Sequence, residues 1–303
     1  MILWTAVLLA SGLREGVLNL RPVSPSLPGL YRSAAYERAT AADAAEILDG
    51  LRIRTVIDLR NNDEIHRAQA TATPYGRALF AAYRDGAPVG PGQLASEGTG
   101  RLHRVHLPLL GDTDAFWTEV ATRLPPARNA QALLYRSVDG RRYDRLLCDE
   151  LARQGHELLY TAMLRSTSAD AWGRALSLAA DRSSGGVLIH CSKGKDRTGV
   201  LAALLQHAAG DSEQQIVSDY AASAALLGEE AAPRARGWRR AKVVESDDGA
   251  PKVDWSALNG SPAQAMAGTL AWVRREYGAL DNFLEGAGAG DTWRRTLGSP
   301  SRW

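Results

Sequence analysis

The chain has 303 residues, 45% of them hydrophobic, enough for one large buried core or two small ones. Its 36 basic residues face 34 acidic ones, and a net charge of +2 argues against wholesale nucleic-acid binding. Only two cysteines are present, Cys148 and Cys191, which argues against a disulfide framework, and neither has the companions of a zinc site. A reducing compartment, the cytoplasm, is therefore expected. Met1 to Ala10 (MILWTAVLLA) is apolar but lacks a basic n-region and a cleavage site and is too short to span a bilayer. It reads as a buried strand or helix end, with an unusual targeting signal, and hence secretion, as the alternative. No other stretch approaches transmembrane length, so a soluble protein is expected.

Residues 17–33 read as two short extended pieces around a Pro/Gly/Ser turn. Thr40 with Asp43 opens a helix to about Leu51, and Arg52 to Leu59 (RIRTVIDL) alternates as a strand does. Residues 86–100 form a Gly-rich loop, and Arg104 to Leu109 is a further strand. From Ala115 to about Leu159 the pattern is helical, broken at Pro125-Pro126, and predicts two or three helices. Ser168 caps a helix through Asp181. Gly186 to His190 (GVLIH) is a buried central strand, and Thr198 to His207 is a strongly apolar helix stopped by Gly210. Ser212 and Gln215 form a capping box for a helix to about Leu227. Residues 228–260 read as a loop-rich insertion. Ser261 to about Phe283 is a helical stretch, with a short helix near 291–297. Strands interleaved with helices indicate an α/β layer fold.

The run His190-Cys191-Ser192-Lys193-Gly194-Lys195-Asp196-Arg197-Thr198-Gly199 joins the central strand to the apolar helix. A helix starting near Thr198 aims its free N–H groups and positive dipole end back at this loop. Successive loop amides from Ser192 to Arg197 can then curl into a nest sized for a tetrahedral oxyanion. Cys191 faces the same cavity, where helix, amides and Arg197 all favour the thiolate, the nucleophilic form. Arg197 offers a planar fork that grips two phosphate oxygens at once. Lys193 and Lys195 stand beside it as binding candidates. Gly194 permits a turn with positive φ, and Gly199 lets the helix pack closely. Thr198 can donate to the cysteine sulfur, and His190 orients the loop through its ring N–H rather than acting as a base.

A lone cysteine at a strand end is ordinarily an inert core residue. A ten-residue run with His, Cys, two Gly and Arg-Thr-Gly in fixed order, between strand and helix, is a much more specific signal. The rival nucleotide-binding motif fails, because Ile189 stands where its first Gly belongs and Asp196 follows the lysine. Two of only four lysines (Lys193, Lys195, Lys242, Lys252) lie in this loop, which favours heavily charged substrates over a single phosphotyrosine unless they are merely solvated rim charges.

The loop resembles the signature of the protein-tyrosine-phosphatase superfamily, and HC-x-x-GKDRTG is similar to the spelling of an atypical branch. That branch holds bacterial and fungal tyrosine and dual-specificity phosphatases, including the mycobacterial secreted type with lipid-phosphatase activity. Tyr31-Arg32-Ser33, Thr55 to Arg60 with Glu64, Ile216 to Ser223 (IVSDYAAS) and Ala265 to Phe283 with Tyr277-Gly278 resemble other stretches of it. The resemblance implies one phosphatase domain over 1–303, with a twisted, mainly parallel central sheet flanked by helices. It also implies a phosphocysteine intermediate and a phosphorylated protein or phosphoinositide as substrate. Neither a cofactor, a metal nor an obligate protein partner is called for.

Expelling the leaving oxygen needs a proton donor, and no Trp-Pro-Asp tripeptide is present to supply one. Asp196, inside the loop, is favoured, since myotubularin-like lipid phosphatases also carry Asp before the loop Arg. Asp112, Asp114 and Asp170 are alternatives, as is water. Asp58 ends its strand at the edge where α/β ligand sites form, where it contacts substrate or holds Arg60 or Arg32 in place. The competing readings are a thiol-based arsenate reductase or sulfurtransferase, for which only Cys148 could resolve, and a non-catalytic phosphate-binding module. The cluster Arg234, Arg236, Arg239, Arg240, Lys242 would suit an anionic membrane or be simply solvated.

Overall fold

The computed structural model describes residues 16–81, 102–110, 114–231, 241, 244 and 252–286. The 86–100 loop, the 291–297 helix, the first ten residues and the basic cluster at 234–242 fall outside the described residues. Five strands form one sheet: β1 (Arg21–Pro22), β2 (Leu30–Ser33), β3 (Ile53–Asp58), β4 (His103–His106) and β5 (Gly186–His190), in the order β1-β2-β5-β3-β4. Only β1 runs antiparallel; the other pairs are parallel, as a sheet interleaved with helices requires. Register places Ser33 beside His190, His190 beside Asp58, and Asp58 beside His106. The four parallel strands thus end level, at the edge where α/β folds build their sites.

Side chains of the central strand divide between the two faces as a period of two demands. Val187, Ile189 and Ile57 enter the larger core; Leu188 and Val56 join Tyr36, Ile47, Ile65 and Leu79 in a smaller one on the opposite face. The smaller core is covered by α1 (Ala41–Ala45), α2 (Asn62–Gln69) and α3 (Pro74–Ala81). The larger core packs under α4 (Asp114–Ala121), α5 (Pro126–Val138), α6 (Gly140–Gln154), α7 (His156–Ser166), α8 (Ala169–Ala180), α9 (Arg197–Ala208), α10 (Glu213–Leu227), α11 (Ala263–Tyr277) and α12 (Leu280–Gly286). Every residue of α9 except His207 is buried, which is why its sequence is apolar on all sides.

Local signals set most element starts. Capping boxes close on Thr40 with Asp43, Asn61 with Glu64, and Ser212 with Gln215, while Ser168 caps α8 through the N–H of Ala171. One expectation is refined and two need correction. The helix from Thr40 continues past Ala45 as a π-helical turn, Glu46–Gly50. The 115–159 region holds four helices, because Asp139 caps α6 and Gly155, at φ +66°, ends it. The 261–283 stretch is two helices, divided at Gly278 with φ +79°.

Candidate active site

Strand β5 delivers Cys191 to the sheet edge, and the chain turns through Ser192 to Asp196 into α9. The turn is held from outside by its carbonyls. Asn19 Nδ2 donates to the carbonyls of Lys193 (3.1 Å) and Gly194 (3.0 Å), Arg32 Nη2 donates to Gly194 O (2.7 Å), and Ala35 N–H to Ser192 O (3.2 Å). Four hydrogen bonds thus hold the carbonyls of Ser192, Lys193 and Gly194 in place. Gly194 has φ +63°, and a Cβ there would lie 2.1 Å from Ser33 O, so only glycine fits. Asn19 itself adopts φ +59°, a strained position that Asn tolerates, and it is buried.

Behind this clamp lies a buried ion cluster. Asp219 accepts from Arg21 Nε (2.9 Å) and Arg32 Nη1 (2.5 Å), all three side chains being fully buried. The stretch 216–223 therefore acts on the loop through Arg32. Tyr220, next to Asp219, packs its ring against Gly199, where an added Cβ would approach it to 3.1 Å.

Arg197 is bidentate to Glu64 at 2.6 Å on both oxygens, and its Nη1 also donates to Leu59 O at 3.3 Å. Glu64 accepts from Ser192 Oγ (2.7 Å) and from its own N-cap, Asn61 N–H (3.1 Å). Of the five guanidinium N–H donors, three are thereby engaged among the described residues. The remaining two, on Nε and Nη2, share one edge of the fork, the arrangement that grips two oxygens of a phosphate. Burial alone would push the Glu64 carboxyl up, but Arg197, Ser192 and Asn61 hold it down at about 2. The same pairing keeps Arg197 firmly cationic against its burial. Glu64 is thus a central site residue whose role the sequence did not show, although its capping box with Asn61 was readable.

Asp196 is the N-cap of α9, yet its side chain caps nothing. Its Oδ1 accepts from Tyr160 Oη at 2.7 Å and lies 3.5 Å from Lys195 Nζ. Burial raises its carboxyl, but Lys195, His156, the Tyr160 hydroxyl and Arg197 prevail, so its pKa is lowered. The first N–H groups of α9 receive no side-chain cap from Asp196 and remain for an anion. Thr198 Oγ1 is buried with no hydrogen-bond partner among the described residues.

Two assignments change. Asp58 does not reach the cavity: it is fully buried, bound to Arg60 Nε (2.9 Å) and Nη2 (2.8 Å) and to Arg104 Nη2 (2.7 Å). It holds Arg60, which also pairs with Glu37 at 2.7 Å, whereas Arg32 belongs to Asp219. Burial would raise the Asp58 carboxyl, but His190, Arg60 and Arg104 keep it well below the ordinary range. Lys195 is not a rim charge. Its buried Nζ donates to the carbonyls of Gly260 (2.6 Å) and Leu258 (3.2 Å) and meets His156 Nε2 at 3.3 Å, which ties the loop to the 258–260 turn. His190 sits under the loop, Nδ1 3.3 Å from Cys191 O and ring edge-on to Tyr36, and burial holds it neutral with a pKa of about 4.

Cys191, Ser192, Lys193, Lys195, Asp196 and Arg197 line one cavity of about 800 Å³, joined by Glu64. Arg38, Arg67, Lys252, Val253 and Trp255 also line it. Asp114 and Asp170 each sit in the first turn of a helix (α4 and α8) and do not line the cavity, while Asp112 falls outside the described residues.

Cys191 at the end of β5, the turn after it and an Arg197 oriented by Glu64 thus meet at one cavity. The profile of the tyrosine phosphatase family matches residues 28–299, and the chain belongs to that family. It is similar to a tyrosine-protein phosphatase from Nostoc commune, 33% identical over 118 residues, which span 37% of this chain and 37% of that protein. Among solved structures it is similar to P. aeruginosa TpbA, at 17% identity over 76% of this chain and 90% of that one, with a TM-score of 0.27.

Proposed function

We propose that the chain is a cysteine-dependent phosphomonoester hydrolase working through a phosphocysteine. The observation that carries this reading is the Arg197 fork. Glu64 holds it with one edge open at the mouth of the loop that carries Cys191. The Cys191 thiolate attacks phosphorus, a sulfur–phosphorus bond forms, and the bond to the leaving oxygen breaks. Arg197 and the N–H groups of the loop and α9 take up the charge that spreads over the equatorial oxygens. Asp196 supplies the proton to the leaving oxygen and then receives one from the water that cleaves the phosphocysteine. Thr198 Oγ1, without a hydrogen-bond partner among the described residues, is suited to donate to the departing sulfur.

Because Lys195 and Tyr160 favour the Asp196 carboxylate, the proton comes with the substrate. A phosphate monoanion carries it in, and the dianion left in the cradle then raises the affinity of Asp196 for it. A cavity of about 800 Å³ exceeds one phosphate, and its lining includes Arg38, Arg67 and Lys252, with Arg38 3.8 Å from Glu230. Those cations support phosphotyrosine in an acidic setting, or a phosphoinositide, over an isolated phosphotyrosine. Lys252, Val253, Trp255 and Leu258 line the cavity, which supports reading the 228–260 insertion as part of one phosphatase domain. Two free cysteines suit a reducing cytoplasm.

The test is a panel of p-nitrophenyl phosphate, phosphotyrosine and phosphoserine peptides, and mono- and bis-phosphorylated inositides, each assayed with wild type and Cys191→Ser. Turnover lost with Cys191→Ser on every active substrate is the expected result. Turnover that survives the substitution overturns the mechanism.

A further inference from the structure

Asp196 Oδ1 accepts a hydrogen bond from Tyr160 Oη at 2.7 Å, and Tyr160 Oη lies 2.6 Å from Tyr220 Oη. The tyrosines come from α7 and α10, meet edge to face with ring centroids 6.0 Å apart, and are both essentially fully buried. A carboxylate can only accept, so the Tyr160 proton points at Asp196. Tyr160 Oη must then accept from Tyr220. The donor direction is therefore set along the whole chain, from Tyr220 to Tyr160 to Asp196.

Burial first, and the neighbouring Asp196 charge next, push both phenols above their ordinary pKa, so both remain donors throughout the working pH range. Gly199 lies against the Tyr220 ring, and His156 packs against Tyr160 at 5.6 Å between ring centroids. These contacts enclose both rings in the core.

We propose that Tyr160 and Tyr220 are positioning residues for Asp196: by keeping Oδ1 as an acceptor, they confine the acid proton to Oδ2. The pair thereby fixes both the orientation of the carboxyl and the oxygen that exchanges a proton with the leaving group. The inference rests on the general-acid role proposed above for Asp196. It gives a physical reason for an N-cap Asp to leave its helix uncapped, since its side chain is held by the tyrosines instead. The other groups facing this carboxyl are Lys195 and Arg197 from the loop and His156 from the start of α7. Tyr160→Phe and Tyr220→Phe keep all three of these residues.

The experiment uses the full chain with Tyr160→Phe, Tyr220→Phe and Asp196→Asn, each checked for folding by circular dichroism. The Asp196 carboxyl is followed by carbon NMR on aspartate-labelled protein, its resonance being identified by its absence in Asp196→Asn. A lost hydrogen bond to an ionised acceptor should raise the Asp196 midpoint by about one pH unit in Tyr160→Phe, and by less in Tyr220→Phe. With an alkyl phosphate as substrate, the basic limb of kcat should move the same way. In Asp196→Asn that limb should vanish, and adding Tyr160→Phe should not change the profile further.

If folded Tyr160→Phe and Tyr220→Phe both leave the carboxyl midpoint where it is in wild type, the positioning role is wrong. If the midpoint moves but Asp196→Asn keeps the basic limb, the tyrosines do hold Asp196 and the general-acid reading is what fails.

Discussion

Glu64→Gln tests the arrangement that defines the site, because it keeps the shape of the side chain and removes only its charge. Burial raises the Glu64 carboxyl, yet Arg197, Ser192 and Asn61 bring it from 4.5 to about 2, a difference equivalent to about 3 kcal/mol. Glu64 and Arg197 are 18% and 10% exposed at their side chains, so solvent screening removes only part of this. Since the folded-state value is depressed, the stabilisation is fully present above pH 4.5 and disappears as the pH falls toward 2. Urea unfolding of Glu64→Gln at pH 7 should therefore show a loss of about 2 kcal/mol, and the gap to wild type should narrow below pH 4.5. The catalytic effect should be larger. An amide can still meet one guanidinium nitrogen as an acceptor, but the two-oxygen clamp is gone and the fork can rotate off its phosphate-facing edge. A misplaced transition-state ligand of this kind costs about 100-fold in kcat/KM. Steady-state kinetics on p-nitrophenyl phosphate would measure it. A kcat/KM within threefold of wild type, together with an unchanged unfolding midpoint, would refute the claim that Glu64 orients Arg197.

Gly194→Ala should abolish phosphate-ester turnover, because the new methyl would meet Ser33 O at 2.1 Å and the backbone would be strained at φ +63°. Gly268→Ala, in α11 with open space around it, should leave activity intact and raise stability by about 0.5 to 1 kcal/mol. Equal behaviour of the two variants would contradict the steric account. Acid sensitivity should come first from His190 and His156, each lowered from 6.5 to about 4, the former by burial and the latter by burial and Lys195. A histidine whose folded value is depressed binds more protons when unfolded, so stability should fall as the pH drops from 6.5 toward 4, by up to about 3 kcal/mol per histidine. Urea titrations across that window, with His156→Gln flattening the slope, measure it; a constant unfolding free energy between pH 6.5 and 5 contradicts the assignment.

What the sequence by itself determined is what depends on neighbours along the chain. The buried strand Gly186–His190 followed by Cys-x5-Arg and an apolar helix was legible because strand, turn and helix are contiguous. The three capping boxes were legible, or readable in the case of Asn61 with Glu64, because their hydrogen bonds close within three residues. Helix breaks at Gly155 and Gly278 escaped, since an isolated glycine does not reveal whether its φ will be positive.

Only the tertiary structure decided what each charged side chain faces. Asp58 could be placed at the sheet edge but not seen to be enclosed by Arg60, Arg104 and His190, partners that include the next strand. Lys195 looked like a cation at a phosphate mouth until the carbonyls of Leu258 and Gly260, more than sixty positions away, claimed its ammonium. Glu64 reaches Arg197 across 133 positions, and Asp196 reaches Tyr160 across 36. Such pairings are set by how the helices dock on the sheet, and hydrophobic burial has no information about which oxygen will meet which nitrogen. The loop at 190–199 was legible in sequence as a single run, whereas the groups that hold Arg197 and Asp196 were assembled by the fold.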